Sequence, residues 1–246
     1  MIRSSGCTTP DIPAITADQM ACVDELAVAE FKIDLLQMME LAGRHLAQLA
    51  RQRFLAGDAR RTRIIVLAGH GGNGGGGLAA ARRLHGWGAH VDVFLAKPSS
   101  EFHGAAARQL QTLRLLNVAI HDPDGPPSLP SADLIVDALV GYRLHGAPTG
   151  SLAALIRAAN AHDAPILSLD LPTGLDATSG QRFDPCVHAT ATLTLALPKM
   201  GLGKSGAHDV TGELYLADIA VPDAVFARLG IELGPLFAKD DLLRIG

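Results

Sequence analysis

The chain has 246 residues, of which 48% are hydrophobic and 19% are charged. This composition excludes a fully disordered polypeptide, because a compact chain of this length buries roughly 70–75% of the surface that it exposes when unfolded. The net charge of −4, without a run of basic residues, argues against nucleic-acid binding. No apolar run reaches about 18 residues, so we expect neither export nor membrane insertion. The three cysteines form no Cys-x-x-Cys pair and fit a reducing cytoplasm, where we expect the protein to reside.

The N-terminal residues predict a lead-in followed by one domain. Residues 1–14 are polar and contain two prolines, which indicates a flexible segment, and residues 15–246 are expected to form a single α/β domain. Thr16 and Gln19 have the spacing of a capping box, which predicts the start of a helix. A second helix is expected to follow Asp34.

From residue 63 onward, short β-branched runs alternate with alanine-rich amphipathic stretches. This alternation is typical of parallel βαβ units. Helices are expected after the glycine tract described below, at about 102–116 and around 152–159. The predicted strands are residues 64–67, 91–95, 118–120, 134–136, 166–169, 191–197 and 214–216.

A glycine tract follows the first predicted strand. Residues 69–77 contain seven glycines in nine positions, which predicts a loop whose exposed backbone N–H groups meet a phosphate at the start of a helix. The alternative is a tight strand-to-helix turn without a ligand. Lys97 follows the second strand, where a nicotinamide dehydrogenase would carry an acidic residue for the ribose, so an ordinary dehydrogenase is disfavoured.

Polar side chains follow several of the predicted strands. Asn73 lies in the glycine tract, Asp137 ends one strand, and Asp170 and Thr173 follow another. The carboxyl ends of parallel strands share one sheet edge, so we expect these groups to converge there. Their oxygens suit an alkali or alkaline-earth cation, although each aspartate alone could instead cap a helix or tie a turn. Lys199 ends a further strand and either reaches the same edge or lies on the surface.

These segments together resemble the NAD(P)H-hydrate epimerase family, the YjeF N-terminal domain, from about residue 16 to residue 227. The resemblance implies a Rossmann-like three-layer αβα sandwich with a mainly parallel central sheet, and it implies a homodimer. It further implies an isomerase that interconverts the R and S forms of hydrated NADH and NADPH, so that a separate NAD(P)H-hydrate dehydratase can repair both. The segments that carry it are residues 39–44, 69–77, 136–141, 168–176, 198–199 and 212–219.

The resemblance also assigns residues to roles. A potassium ion would be held by Asn73, Asp137 and Thr173. The chemistry of the implied reaction, rather than the resemblance, makes Asp170 the candidate general acid and base, because one carboxylate can protonate a leaving hydroxyl and deprotonate an incoming water; Lys199 is the second candidate catalytic residue. The dinucleotide would contact Gly72, Asn73, Gly74, Gly75 and Gly76, then Gly141, Tyr142, Arg143, Leu144, His145, Gly146 and Ala147, and finally Asp170.

The chain departs from the usual family pattern at a few positions. Leu41 and Gly72 stand where asparagines are usual, Gly76 stands where an aspartate is usual, and Thr173 replaces a serine but keeps the hydroxyl. The first three changes remove polar side chains from the expected pocket. They leave open a non-catalytic nucleotide-binding or scaffold module of the same fold and, as a third reading, a redox enzyme that uses intact NAD.

Overall fold

The computed structural model describes residues 12–246 and contains an eight-stranded sheet. The strands lie in the order β3-β2-β1-β4-β5-β6-β7-β8, and all neighbours are parallel except β7 and β8. The α/β class with a mainly parallel sheet is therefore confirmed. The strands are β1 (Arg63–Ala68), β2 (His90–Leu95), β3 (Ala119–His121), β4 (Leu134–Ala138), β5 (Ile166–Leu169), β6 (Ala191–Leu195), β7 (Glu213–Ala217) and β8 (Leu242–Arg244).

Helices cover both faces of the sheet. On β1, Ile64 and Val66 pack in a core cluster with α2, α3 and α4, whereas Ile65 and Leu67 pack with α5 on the opposite face. Successive strand residues point to opposite faces, so a continuous apolar run forms a strand buried on both sides and gives three layers. The helices are α1 (Ala17–Ala29), α2 (Leu35–Leu49), α3 (Gly72–Gly86), α4 (Gly104–Leu115), α5 (Gly150–Asn160), α6 (His208–Thr211) and α7 (Asp223–Ala227).

The first two helices begin where the sequence predicts. Thr16 and Gln19 form a reciprocal capping box, with hydrogen bonds of 3.1 and 2.9 Å between side chain and backbone. Asp34 and Gln37 form a second box at the start of α2. Residues 1–11 of the predicted lead-in lie outside the described residues, and the boundary at residue 15 stays a prediction.

The glycine tract differs from the expected loop. Helix α3 already begins at Gly72, so only residues 69–71 connect it to β1. A Cβ added to Gly74 would lie 1.7 Å from the carbonyl oxygen of Gly69, and one added to Gly77 would lie 2.3 Å from the Cβ of Ala138. The glycines therefore let the first turns of α3 pack directly against the sheet, which outweighs their low helix propensity.

The chain order places a crevice at the centre of the sheet. From β1 the chain runs outward through β2 to β3 and then returns to β4 on the other side of β1. This change of direction is the switch point at which open α/β sheets bind ligands. Strand β8, which periodicity did not predict, pairs antiparallel with β7 and caps the far edge. Among residues 12–246, no helix is long and apolar enough to cross a membrane.

Candidate active site

A cavity of about 430 Å³ opens at the carboxyl ends of the central strands. Its walls include methionines of α1 and α2, and its floor includes the residues that follow β1, β4 and β5. Such a space, largely apolar with a few convergent polar groups, is typical of a small-molecule site. The charged side chains that line it are Asp24, Lys97, Arg143, Asp170 and Lys199.

Asp170 and Lys199 form a buried ion pair in the floor of this cavity. The Lys199 Nζ atom lies 2.5 Å from Asp170 Oδ1, and the two side chains are 1% and 5% exposed. The ammonium also donates to the carbonyl oxygen of Leu195 at 2.8 Å. Because both charged groups are almost fully shielded from water, each is stabilised mainly by the opposite charge of the other. Lys199 therefore reaches this edge of the sheet and does not lie on the surface.

Local backbone features hold this pair in place. Asp170 follows β5 directly and has a φ of +69°. This conformation is uncommon for residues other than glycine and allows a sharp turn at the end of the strand. The segment before α1 fixes Lys199, because Ile15 forms a bridge to it and donates to the carbonyl oxygen of Pro198 at 2.9 Å.

Tyr142 connects Asp170 to a second carboxylate. Its backbone N–H donates to Asp170 Oδ2 at 3.0 Å, while its hydroxyl donates to Asp24 Oδ2 at 2.5 Å and accepts from Arg143 Nε at 2.9 Å. Burial raises the pKa of Asp24, against the lowering effects of the Tyr142 hydrogen bond, Lys199 and Arg143. Burial and the neighbouring Asp24 raise the pKa of Tyr142.

Asp24 is a site residue that the sequence reasoning missed. It lies on α1, four residues after Met20 and three before Ala27, both of which are buried. A carboxylate at those spacings shares the inward face of the helix. This helical periodicity is the sequence signal that could have identified Asp24 as a residue facing the site.

Asp137 and Thr173 meet as expected, in a fully buried cluster beside the cavity. Asp137 Oδ1 accepts from the Thr173 hydroxyl at 2.7 Å, and Oδ2 accepts from the Thr173 N–H at 2.9 Å and from the Ser168 hydroxyl at 2.8 Å. Burial raises the pKa of Asp137, and these hydrogen bonds oppose the shift. The aspartate therefore ties the turn after β5 to the end of β4.

The oxygen atoms around Thr173 suit an alkali cation. Its hydroxyl lies 2.7 Å from Asp137 Oδ1 and 3.1 Å from the carbonyl oxygen of Val140, yet a hydroxyl has one hydrogen for these two acceptors. A cation bound by carboxylate, carbonyl and hydroxyl oxygens would satisfy the acceptor left without a hydrogen. Within residues 12–246, no three His, Cys, Asp or Glu side chains are grouped to hold a metal, so neutral oxygens would have to complete any cation site.

Asn73 and Asp170 both lie close to Gly141. A Cβ built on Gly141 would lie 2.7 Å from Asp170 Oδ2 and 3.2 Å from Asn73 Oδ1, so there is no room for a side chain at this position. Asn73 Nδ2 is buried and has no hydrogen-bond partner in the described part of the chain. Because Asn73 also lines the cavity, this unpaired donor lies beside the space for a ligand.

The remaining predicted contacts divide into two groups. Gly74 and Gly75 do not line the cavity; they pack against the turn before α3 and against α2, since Cβ atoms there would lie 1.7 Å from the carbonyl oxygen of Gly69 and 2.6 Å from the Met39 sulfur. The cavity lining also does not include Leu144, His145, Gly146 or Ala147. The predicted residues that line the cavity are Gly72, Asn73, Gly76, Gly141, Tyr142, Arg143, Asp170 and Lys199.

The departures from the family pattern have separate structural consequences. Leu41 packs with the apolar cluster of α1 instead of lining the cavity. Gly72 borders open space, with nothing within 4 Å of an added Cβ. At Gly76, an added Cβ would lie 2.9 Å from Leu169 Cδ2, so this position has no room for a larger side chain without movement of that leucine.

Comparison with known proteins agrees with this arrangement. Residues 35–201 match the sequence profile described as YjeF-related protein N-terminus. The chain belongs to the YjeF-related N-terminal family. Within it, the chain is 46% identical to the NAD(P)H-hydrate epimerase of Dehalogenimonas lykanthroporepellens, over 90% of this chain and 87% of that protein. It is 38% identical to the NAD(P)H-hydrate epimerase of Truepera radiovictrix, over 94% of this chain and all of that protein (100%).

Two further relatives show the family domain in other settings. The bifunctional NAD(P)H-hydrate repair enzyme Nnr of Moorella thermoacetica is 37% identical over 87% of this chain, which spans 41% of that longer protein. The crystal structure of yeast ynu0, YNL200c, superposes with a TM-score of 0.78 at 25% identity, covering 95% of this chain and 100% of that chain. The YjeF-related fold is thus shared along nearly the whole length.

Proposed function

We propose that the chain is an NAD(P)H-hydrate epimerase, which interconverts the R and S forms of hydrated NADH and NADPH. The observation that carries the proposal is the buried Asp170–Lys199 pair, which lines a cavity at the switch point of the sheet. Relatives with this printed activity reach 46% identity over 90% of the chain, which supports the substrate class.

The proposed reaction requires only proton transfer and charge stabilisation. The reacting carbon of the hydrate bears both a hydroxyl group and the ring nitrogen. The nitrogen lone pair expels the hydroxyl as water and forms an iminium ion, and a water molecule then adds to the same carbon from either face. The enzyme has to protonate the leaving oxygen, stabilise the cation and accept a proton from the incoming water.

Asp170 and Lys199 are proposed as the catalytic residues that stabilise the cation and accept the proton of the incoming water, and the leaving oxygen takes its proton from a separate donor. The Asp170 carboxylate takes the proton from the incoming water and offers negative charge to the iminium. Lys199 balances that charge between turnovers through its 2.5 Å contact with Oδ1. The Tyr142 N–H, at 3.0 Å, orients the second carboxylate oxygen.

The N-terminus of α3 is proposed to receive the pyrophosphate. The first N–H groups of a helix lack intrahelical partners and carry partial positive charge, which suits an anion. Gly71 and Gly72 are exposed there, and an added Cβ on either meets nothing within 4 Å. Lys97 adds a positive charge to the same cavity.

We also propose that potassium assists the enzyme. Asp137, Thr173 and Asn73 would hold the ion, which would balance the buried carboxylate and stiffen the turn from Asp170 to Thr173. In the Asp137→Ala variant, we expect nucleotide binding to lose any dependence on potassium relative to sodium, measured by calorimetric titration. An unchanged response to the two ions would reject the assignment.

The predicted partners extend the proposal. A separate dehydratase would consume the epimerised product, and bifunctional repair enzymes among the relatives support this coupling. A homodimer and a cytoplasmic location are proposed with it. Light scattering at micromolar concentration tests the dimer, since a monomer mass would contradict it.

Substitution of Asp170 tests the function directly. Asp170→Asn should reduce epimerisation by at least about 100-fold, the usual contribution of general acid–base catalysis, with nucleotide affinity retained. The matched control is Asp163→Asn, an exposed aspartate after α5, which should behave as the wild type. Full activity of Asp170→Asn would exclude this mechanism. The non-catalytic alternative predicts binding of the hydrate without conversion by the wild type.

A further inference from the structure

Epimerisation poses a geometric problem that one carboxylate does not solve. The iminium ion is planar, and inversion requires the hydroxyl to leave from one face and water to arrive at the other. A proton donor and acceptor are therefore needed on both faces. Asp170 is fixed by Lys199 and by the Tyr142 N–H, so it serves only the face of a bound ring that lies towards it.

A second carboxylate enters the same cavity from a different wall. Asp24 comes from α1, whereas Asp170 comes from the end of β5. The two carboxylates are held at opposite ends of one residue, because Asp170 accepts from the backbone N–H of Tyr142 and Asp24 accepts from its phenolic hydroxyl. A rigid tyrosine ring thus separates the two acceptors.

We propose that Asp24 is the second acid–base group of the active site and serves the face of the nicotinamide-derived ring opposite to Asp170. This inference rests on the epimerase function proposed above. Asp24 is positioned by the Tyr142 hydroxyl, and the charged or titratable groups that face it are Tyr142, Arg143, Lys199 and Asp170. Burial favours the neutral carboxyl of Asp24 and raises its pKa, which suits a proton donor.

The protons balance when Asp24 acts on one face of the ring and Asp170 acts on the other. The Asp24 carboxyl gives its proton to the hydroxyl oxygen as the C–O bond breaks and the nitrogen lone pair forms the C=N bond, and a water molecule leaves. On the other face, a second water forms the new C–O bond and gives a proton to Asp170, while the C=N electrons return to nitrogen. One proton has moved from Asp24 to Asp170, and turnover in the reverse direction or exchange with bulk water returns it.

Exchange of the substrate oxygen with H₂¹⁸O separates this arrangement from a single acid–base group. In the wild type, each pure epimer should both exchange its hydroxyl oxygen and invert. In Asp24→Asn, the epimer whose hydroxyl faces Asp170 should still exchange oxygen but invert at least about 100-fold more slowly, and the other epimer should do neither. Chiral chromatography with mass spectrometry, corrected for the reaction without enzyme, measures both rates.

A control variant and a second test variant accompany this measurement. Glu25→Gln, an exposed neighbour on the same helix, should retain exchange and inversion for both epimers. If Asp24→Asn does not fold by circular dichroism, Tyr142→Phe removes only the hydroxyl that positions Asp24, and it should show the same asymmetry in a weaker form. Inversion within threefold of the wild type, or equal loss of exchange by both epimers, would overturn the role of Asp24. A wild type that neither exchanges nor inverts would instead overturn the epimerase function.

Discussion

Loss of the Lys199 ammonium tests the electrostatic core of the site. In Lys199→Met, the Asp170 carboxylate keeps the Tyr142 N–H but has no counter-charge, in surroundings where its side chain is 5% exposed. Removing one partner of a buried ion pair costs about 3–5 kcal/mol, a large part of the roughly 5–15 kcal/mol that stabilises a typical domain. We therefore expect a much less stable protein at pH 7.

Urea denaturation followed by circular dichroism measures this loss. With a denaturant slope of about 2–3 kcal/mol per molar urea, the midpoint of unfolding should fall by about 1–2.5 M. The double variant Lys199→Met/Asp170→Asn removes both charges and should cost less than the sum of the two single changes. If the free energies of unfolding add within about 0.5 kcal/mol, the two groups are not coupled and the reasoning fails.

Two further predictions concern packing and acid stability. Gly77→Ala should lower the free energy of unfolding by about 1–3 kcal/mol, because its Cβ would lie 2.3 Å from that of Ala138. Gly72 borders open space, so Gly72→Ala should change the free energy of unfolding far less. Equal effects of the two substitutions in thermal melts would contradict this explanation of the packing. The hydrogen bonds of Arg53 first, then that of Tyr215 and the charges of Arg53 and Arg244, lower the pKa of Glu213 from 4.5 to about 2. The stability that these contacts contribute is complete above pH 4.5 and is lost as the pH falls towards 2. Arg53→Met should be less stable than the wild type at pH 7 and similar to it near pH 2, and a pH-independent difference would refute the pairing.

Much of the fold follows from local patterns. The apolar runs that become β1 and β4 are short and rich in β-branched residues, and such runs between amphipathic stretches have few stable arrangements other than a parallel sheet. The capping box at Thr16 depends on neighbours three residues apart, so it is readable without knowledge of the tertiary structure. The convergence of Asp137 with Thr173 follows from their positions at the carboxyl ends of adjacent parallel strands, Asp137 near the end of β4 and Thr173 in the turn after β5.

The features that were not predicted depend on tertiary contacts. The glycine tract has low intrinsic helix propensity, and only close packing on Ala138 and Met39 explains why Gly72–Gly86 is helical. Strand β8 has three residues and forms by pairing with β7, a partner that periodicity does not identify. Asp24 lies about 146 residues before Asp170 in the sequence, and the Tyr142 hydroxyl that links them is visible only in three dimensions.

Conversion of a single pure epimer by the wild-type protein decides whether the chain is an NAD(P)H-hydrate epimerase. Purified protein is incubated with R-NADH hydrate or R-NADPH hydrate, and the S form is followed by chromatography against a reaction without enzyme. We expect the wild-type protein to bring either pure epimer to the same final mixture, and we expect Asp170→Asn not to do so. An R form that persists with wild-type protein at the rate of the enzyme-free reaction would contradict the proposed activity.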